Sequence, residues 1–320
     1  MTKHIVIGGG SGFIGDMLTI ALRERGDRVT WISRNAGPNR ITWDDLSQTG
    51  LPDCDAVVNL AGQHILDVRR RWTDAYRAEV IDSRVHTTRA LVAAINEARN
   101  PPEVFVSTAG KCFYGTTEME VDQATVDLDE TSVPIGMDFP AELVGLWEAA
   151  SEGVDTDRIR HIQLRIGVVL GKIERKSDIG KLWRIGRSRG FLPIIRLPFC
   201  LGLGAKIGTG RQPFPWIHVD DMVGVILHVL DRPQTEGRYN AVSPGIVDNA
   251  TFTEAFARAL GRPVVWSVPE WIVRAIVGSE RSSILLRGQR VRPRRTLESG
   301  YRFTFPTIDV AMSDLVRKVI

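Results

Sequence analysis

The chain has 320 residues, 43% hydrophobic and 25% charged, with a net charge of +3. That length holds one large α/β domain with an added lobe, and so small a charge gives no argument for a nucleic-acid partner. Cys54, Cys112 and Cys200 are scattered and form no CxxC pair, which argues against a disulfide framework or a zinc site and fits a reducing compartment.

Ile5, Val6 and Ile7 form a β-branched apolar run, the pattern of a strand buried on both faces. With that strand starting at residue 4 and no apolar run of bilayer-spanning length, a cytoplasmic protein without a membrane anchor is expected. Gly9, Gly12 and Gly15 follow at GxxGxxG spacing, and Leu18, Ala21 and Leu22 then recur at helical spacing. Strand, glycine turn and helix in that order form a dinucleotide site. Gly9 makes the turn, Gly12 admits a pyrophosphate, and Gly15 lets the helix pack on the strand. The free N–H groups of the helix start then face the phosphates.

Val29 to Ser33 reads as the second strand. An acid about twenty residues past the glycines selects NAD; here the strand ends in Ser33 and Arg34. A hydroxyl and a guanidinium suit a 2′-phosphate, so NADP is the expected cofactor. Asp55 to Gly62 is a further buried strand whose small terminal residues leave room for a ligand. Trp72 to Ala98 is a long helix carrying Arg84, which reaches the cofactor if its face points at the crevice and is otherwise a surface residue. Val104 to Thr108 is the next strand, and Thr116 to Gly136 a polar loop.

Phe139 to Ala150 is helical, and Ile162 to Leu170 a strand. This alternation predicts an α/β fold, a Rossmann-type doubly wound parallel sheet with a smaller C-terminal α+β substrate lobe. Lys172 to Arg196 carries a basic excess with Trp183, Phe191 and Ile194; it reads as a solvated basic face, with a cover over a site entrance or a contact with an anionic partner as the alternatives. Leu201 to Pro215 is glycine-rich. Trp216 leads into a helix from Met222 that Asp220 or Asp221 is placed to cap. Tyr239 to Val242 reads as a strand. Thr251 to Leu260, Pro269 to Val277 and Ser282 to Gly288 read as helices, and Val291 to Phe305 as a strand-like tail. The NADP-binding domain is drawn over 1–171 with about 214–245 added, and the substrate lobe over 172–213 and 246–320.

The glycine motif, Asn59 to Gly62 and Trp216 to Asp221 resemble extended short-chain dehydrogenase/reductases of the sugar-nucleotide epimerase branch. Ser33-Arg34, the segment from Arg40 to Asp44, Trp147-Glu148, Leu201 to Gly204, Phe214 to His218 and above all Gly288 to Pro293 resemble one atypical subfamily. These are the epimerase-family proteins of family 39U, NADP-dependent oxidoreductases of unassigned substrate. The resemblance implies that Gly9, Ser11, Gly12, Phe13 and Ile14 hold the pyrophosphate and that Ser33 and Arg34 hold the 2′-phosphate. It implies that Leu60, Ala61 and Gly62 line the crevice, that Glu79 and Arg84 meet the cofactor, and that Pro140 lies near the nicotinamide. NADP(H) and a small-molecule substrate are the expected ligands, with a homodimer left open.

Short-chain dehydrogenases use a Tyr-x-x-x-Lys pair with a hydroxyl as the proton-handling group. The tyrosines are Tyr76, Tyr114, Tyr239 and Tyr301, and none has a lysine four residues on. Phe139 and Leu143 or their neighbours stand where the family would place the pair. Thr108, Lys111 and Tyr114, on or just past a strand end, are the substitute candidates. Two functions remain: an oxidoreductase or epimerase-like enzyme with a non-standard acid, or a catalytically degenerate NADP(H)-binding sensor or scaffold.

Overall fold

The β-branched run forms β1 (His4–Gly8), buried along its whole length. The structure, a computed structural model, describes residues 2–63, 65–67, 70–116, 126–136, 138–171 and 191–316. On one side of β1 lie β2 (Arg28–Ser33) and β3 (Arg40–Thr42); on the other lie β4 (Ala56–Asn59) and β5 (Val104–Gly110). All pairings among these five strands are parallel. Adding β7 (Arg160–Ile166) and β11 (Gly237–Ala241) gives the order β11-β7-β5-β4-β1-β2-β3. The chain reverses direction across the sheet between β1 and β4, and the crevice at their carboxyl ends is where such folds take ligands.

Helix α1 (Phe13–Glu24) buries Leu18 and Leu22. α2 (Trp43–Thr49) was not anticipated; Thr42 and Asp45 start it with a reciprocal capping box. α3 (Asp74–Asn96) starts where the Thr73 hydroxyl accepts the N–H of Tyr76, close to the expected start. Val6, Ile32, Leu46, Val57, Leu91, Ile95 and Phe105 make one continuous core between sheet and helices. α4 (Phe139–Ser151) agrees with its sequence pattern.

The chain forms two compact units: Met1–Phe113 with Ala141–Arg165 and Val223–Tyr239, and Tyr114–Pro140 with Ile166–Met222 and Asn240–Ile320. Residues 114–140, which the sequence reading drew into the first domain, therefore fold with the second unit.

Several expected elements are corrected. Ile162 to Leu170 is two strands, β7 and β8 (Val168–Leu170), broken at Gly167. The partner changes there: Gly167 N–H donates to Ala241, Val168 N–H donates to Pro215, and β8 pairs with β10 (Trp216–His218). A side chain at Gly167 would lie 2.9 Å from the Pro215 carbonyl oxygen. The helix expected from Met222 is α6 (Val219–Asp231), so Asp220 and Asp221 sit inside its first turn. The His218 ring takes the capping place, its Nδ1 accepting the Asp220 N–H at 3.0 Å. The Asp221 carboxylate accepts instead from the N–H groups of Thr304 and Phe305 and from the Tyr301 hydroxyl.

The glycine-rich stretch contains β9 (Ala205–Ile207), paired with β12 (Trp266–Val268). The polar loop contains β6 (Asp127–Leu128). β6 pairs with β13 (Arg290–Val291), the short remnant of the expected strand-like tail. Pro293 has no N–H for a ladder, and α10 (Arg294–Glu298) follows it directly. α7 (Asn249–Ala259), α8 (Glu270–Val277) and α9 (Ser279–Leu286) match their patterns; α11 (Ile308–Val316) was not expected. Trp216, Phe252, Phe256, Ile308 and Met312 form the second unit's core. Of the basic stretch, 172–190 lies outside the described residues, and its end runs into α5 (Leu192–Cys200).

Candidate active site at the sheet switch point

Gly9 has φ +75°, and a Cβ there would lie 2.8 Å from both the Ala61 nitrogen and the Leu60 carbonyl oxygen. The turn after β1 and the loop after β4 thus touch backbone to backbone, which only glycine permits. A Cβ on Gly15 would lie 2.7 Å from the Gly10 Cα and the Gly9 carbonyl oxygen. Gly15 therefore packs α1 against the turn rather than against the strand proper, as its sequence reading had it. Gly12 is the extended N-cap of α1, and no side chain caps that helix. The first amides of Phe13 and Ile14 have no partner within the helix, so its positive end is open beside exposed Ser11 and Gly12.

Trp31 escaped the sequence reading. Its ring covers Gly10, its indole N–H donates to Thr19 Oγ1 at 2.8 Å, and the Arg40 guanidinium lies 4.4 Å from the ring centre. At the end of β2, Ser33 is buried and its hydroxyl donates to the Asn35 carbonyl at 2.6 Å, while Arg34 is exposed. Arg34 is thus the accessible member of the expected pair.

Asn59, fully buried at the end of β4, ties the crevice together. Its Oδ1 accepts the Ala61 N–H at 3.1 Å, and its Nδ2 donates to Thr88 Oγ1 at 2.8 Å. Its carbonyl accepts the Thr108 hydroxyl at 2.7 Å. Thr88 is on α3, one turn beyond Arg84. The Gln63 N–H donates to Ser83 Oγ at 3.0 Å, fastening the loop to the same helix.

Arg84 lies against that loop: a Cβ on Gly62 would sit 3.2 Å from its Cζ. One guanidinium nitrogen donates to the Val80 carbonyl at 3.1 Å, and Cζ lies 5.2 Å from the Trp147 ring centre. Among the described residues no carboxylate pairs with it, and burial pulls its pKa down to about 10. A half-buried guanidinium with no carboxylate beside it attracts an anion. Glu79 is placed otherwise: exposed and paired with Arg70 at 2.6 and 3.0 Å, which holds its carboxyl below the usual range.

The catalytic candidates separate. The Thr108 hydroxyl is committed to Asn59. Lys111 opens a single 3-10 turn (Lys111–Tyr114) after β5 and is 6% exposed. Tyr114 belongs to the second unit, fully buried, its hydroxyl 2.9 Å from the Asp129 carbonyl and 2.9 Å from Asn240 Oδ1. Asn240 in turn donates to the Arg292 carbonyl at 2.9 Å, and Gln289 to the Gly115 carbonyl at 2.8 Å. The Gly288 to Pro293 segment thus locks the stretch around Tyr114. Phe139, Pro140 and Leu143 are buried in α4.

Glu148 on α4 and Arg165 on β7 form a buried bidentate pair at 2.8 and 3.0 Å, with the Arg165 guanidinium 3.3 Å from the Phe113 ring centre. In the second unit, His218 lies near Asp220 and Asp314. The two carboxylates face different nitrogens of one ring, and Nδ1 already accepts a backbone N–H, so the cluster is a cap and not a cation cage.

Over residues 5–135 the chain matches the model of the NAD dependent epimerase/dehydratase family, and over residues 268–315 a domain of unknown function. It is 41% identical to the human epimerase family protein SDR39U1 across 98% of this chain and 99% of that protein. The chain belongs to the epimerase family. Another epimerase-family relative, YfhF of Bacillus subtilis, is 30% identical over 98% of each chain. The crystal structure of human SDR39U1 with NADPH superposes with a TM-score of 0.90 at 41% identity, covering 99% of this chain and all of that one. The resemblance drawn from the sequence motifs and the Rossmann-type fold class both hold for this epimerase-family chain. Among its described residues no helix is long and apolar enough to cross a membrane.

Proposed function

We propose that the chain binds NADPH across the carboxyl ends of β1, β2 and β4 and serves a reductase or epimerase-like hydride transfer to a small carbonyl or nucleotide-sugar substrate. The observation that carries this is Arg84, a half-buried guanidinium paired with no carboxylate among the described residues and set against the Gly62 loop. The open N-terminus of α1 adds a second anion-attracting group. Exposed Arg34 adds a third, placed at the end of β2 where a 2′-phosphate distinguishes NADP from NAD. The crystallised human relative, bound to NADPH, supports the same choice.

When bound, NADPH supplies a hydride. Gly9, Ser11, Gly12, Phe13 and Ile14 would line its pyrophosphate, Arg34 its 2′-phosphate, and Leu60, Ala61, Gly62 and Arg84 the crevice wall. Lys111, buried just past β5, would be the proton donor, its ammonium giving a proton to the oxygen of the carbonyl being reduced to an alcohol. The neutral amine then regains a proton from water. Thr108 holds the β4 and β5 strand ends in register through Asn59.

The second function, an NADP(H)-responsive scaffold, is favoured by Phe139 and Leu143, hydrocarbon side chains packed in α4 that transfer no proton. Two measurements decide. Titration with NADPH and NADH is expected to show preference for NADPH; indifference to both overturns the cofactor assignment. NADPH consumption against a panel of small carbonyls and nucleotide sugars is expected to find turnover. Tight NADPH binding with no consumption across the panel favours the scaffold.

A further inference from the structure

Trp147 stands on α4 beside Glu148. Its indole N–H donates to Thr88 Oγ1 at 3.1 Å. Thr88 is fully buried and also accepts from Asn59, so the indole and the end of β4 share one hydroxyl on α3. The ring lies within cation–π distance of the Arg84 guanidinium, 5.2 Å from ring centre to Cζ. Arg84 and Thr88 are four residues apart on α3 and so share a face. One face of the indole system therefore backs the guanidinium while its N–H end grips the helix one turn on. A long arginine side chain otherwise samples many rotamers, and the energy of ordering it falls on the ligand that needs it ordered.

We propose that Trp147 is a positioning residue for the dinucleotide. It acts through Arg84, holding the guanidinium against the Gly62 loop before the anion arrives. This rests on the assignment of Arg84 to the cofactor. It separates from the 2′-phosphate contact, because Arg34 stands at the end of β2 and Arg84 beside the loop after β4. The proposal has a directional consequence. Loss of the indole weakens NADPH and NADH by the same factor, since both carry the diphosphate and only one carries the 2′-phosphate.

The test is a double-mutant cycle in dinucleotide affinity, using Trp147→Leu, Arg84→Met and the pair together on the full chain, with thermal melting as a check on folding. Arg84→Met is expected to weaken NADPH by about thirtyfold. Trp147→Leu is expected to weaken it by about fivefold, and the double variant should bind no more weakly than Arg84→Met alone. The NADPH to NADH ratio should stay at the wild-type value in Trp147→Leu. Trp147→Phe keeps a ring face but loses the N–H, and falls between wild type and Trp147→Leu; it serves for the cycle if the leucine variant does not fold. Wild-type affinity in the Trp147 variants, or losses that multiply in the double variant, overturns the proposal while leaving the Arg84 assignment intact. Wild-type affinity in Arg84→Met overturns both.

Discussion

The Tyr114 hydroxyl lies 2.9 Å from the side-chain carbonyl of Asn240, and neither group reaches solvent. A backbone carbonyl, that of Asp129, stands at the same distance on the hydroxyl's other side. The phenol of the tyrosine that follows β5 is thus spent on holding the second unit together. Tyr114→Phe is expected to leave NADPH affinity and any turnover at wild-type levels. It removes the one hydroxyl proton shared between buried Asn240 Oδ1 and the Asp129 carbonyl, and urea unfolding should record a loss of about 1–3 kcal/mol. A collapse of turnover in a stably folded variant would return Tyr114 to the catalytic candidates.

Lys111 carries the opposite expectation. It is buried at the first position past β5. Lys111→Met keeps its length and apolar stem while deleting the transferable proton. Turnover should fall by about a hundredfold or more, with the NADPH dissociation constant unchanged. Single-turnover measurement of hydride transfer checks it, and wild-type rates discard the assignment.

Arg34→Ala tests cofactor choice. The exposed guanidinium at the end of β2 is assigned to the 2′-phosphate alone. NADPH should bind about 10- to 100-fold more weakly and NADH with unchanged affinity. Parallel titrations read the ratio directly.

Glu148 and Arg165 make a bidentate pair that is almost wholly desolvated, their side chains 3% and 1% exposed. Removing Glu148 leaves the Arg165 charge buried, and removing Arg165 leaves Glu148 only the half-exposed Arg238 guanidinium at 3.5 Å. Glu148→Leu or Arg165→Met alone should cost about 3–5 kcal/mol in chemical denaturation. The combined variant should recover most of that loss, since an apolar pair replaces an ion pair without an orphan. A double variant as unstable as the singles would show that the pair's stack on Phe113 matters more than its charge.

His161 sets an acid limit. Burial, with help from the positive charge of Arg238, lowers its pKa to about 4, and its Nε2 lies 3.1 Å from Ser107 Oγ. The unfolded chain takes up the proton near the ordinary value of 6.5, so falling pH stabilises the unfolded state first. The stability contributed by the neutral ring is full above pH 6.5 and drains away as pH falls to about 4. The loss is on the order of 2–3 kcal/mol. Denaturation at a series of pH values should show it, and His161→Asn should remove that part of the slope.

The first unit of the molecule was legible in local pattern. A buried β-branched run before GxxGxxG, and small residues ending the next strands, are properties of contiguous residues, and they place β1, α1, β4 and α3 correctly. The second half was less legible because its elements are set by partners far away in sequence. Val291 to Phe305 alternates well enough for a strand, yet β13 ends after two residues, where Pro293 cannot extend the ladder with β6. Ile162 to Leu170 reads as one strand, yet its neighbour changes at Gly167. Asp221 has the chemistry of a helix cap, but the backbone of Thr304 and Phe305 claims its carboxylate.

The same division runs through the site. Residue identity alone determined that the first strand runs into glycines at GxxGxxG spacing, that the second strand is followed by a cation, and that no Tyr-x-x-x-Lys pair exists. Only the folded chain decided that Arg84 faces the Gly62 loop without an acid beside it, that Glu79 is taken by Arg70, and that Tyr114 is locked by Asn240. A side chain's chemistry is written where it stands in the sequence. Whether that chemistry is free to meet a ligand depends on which distant groups the packing brings against it.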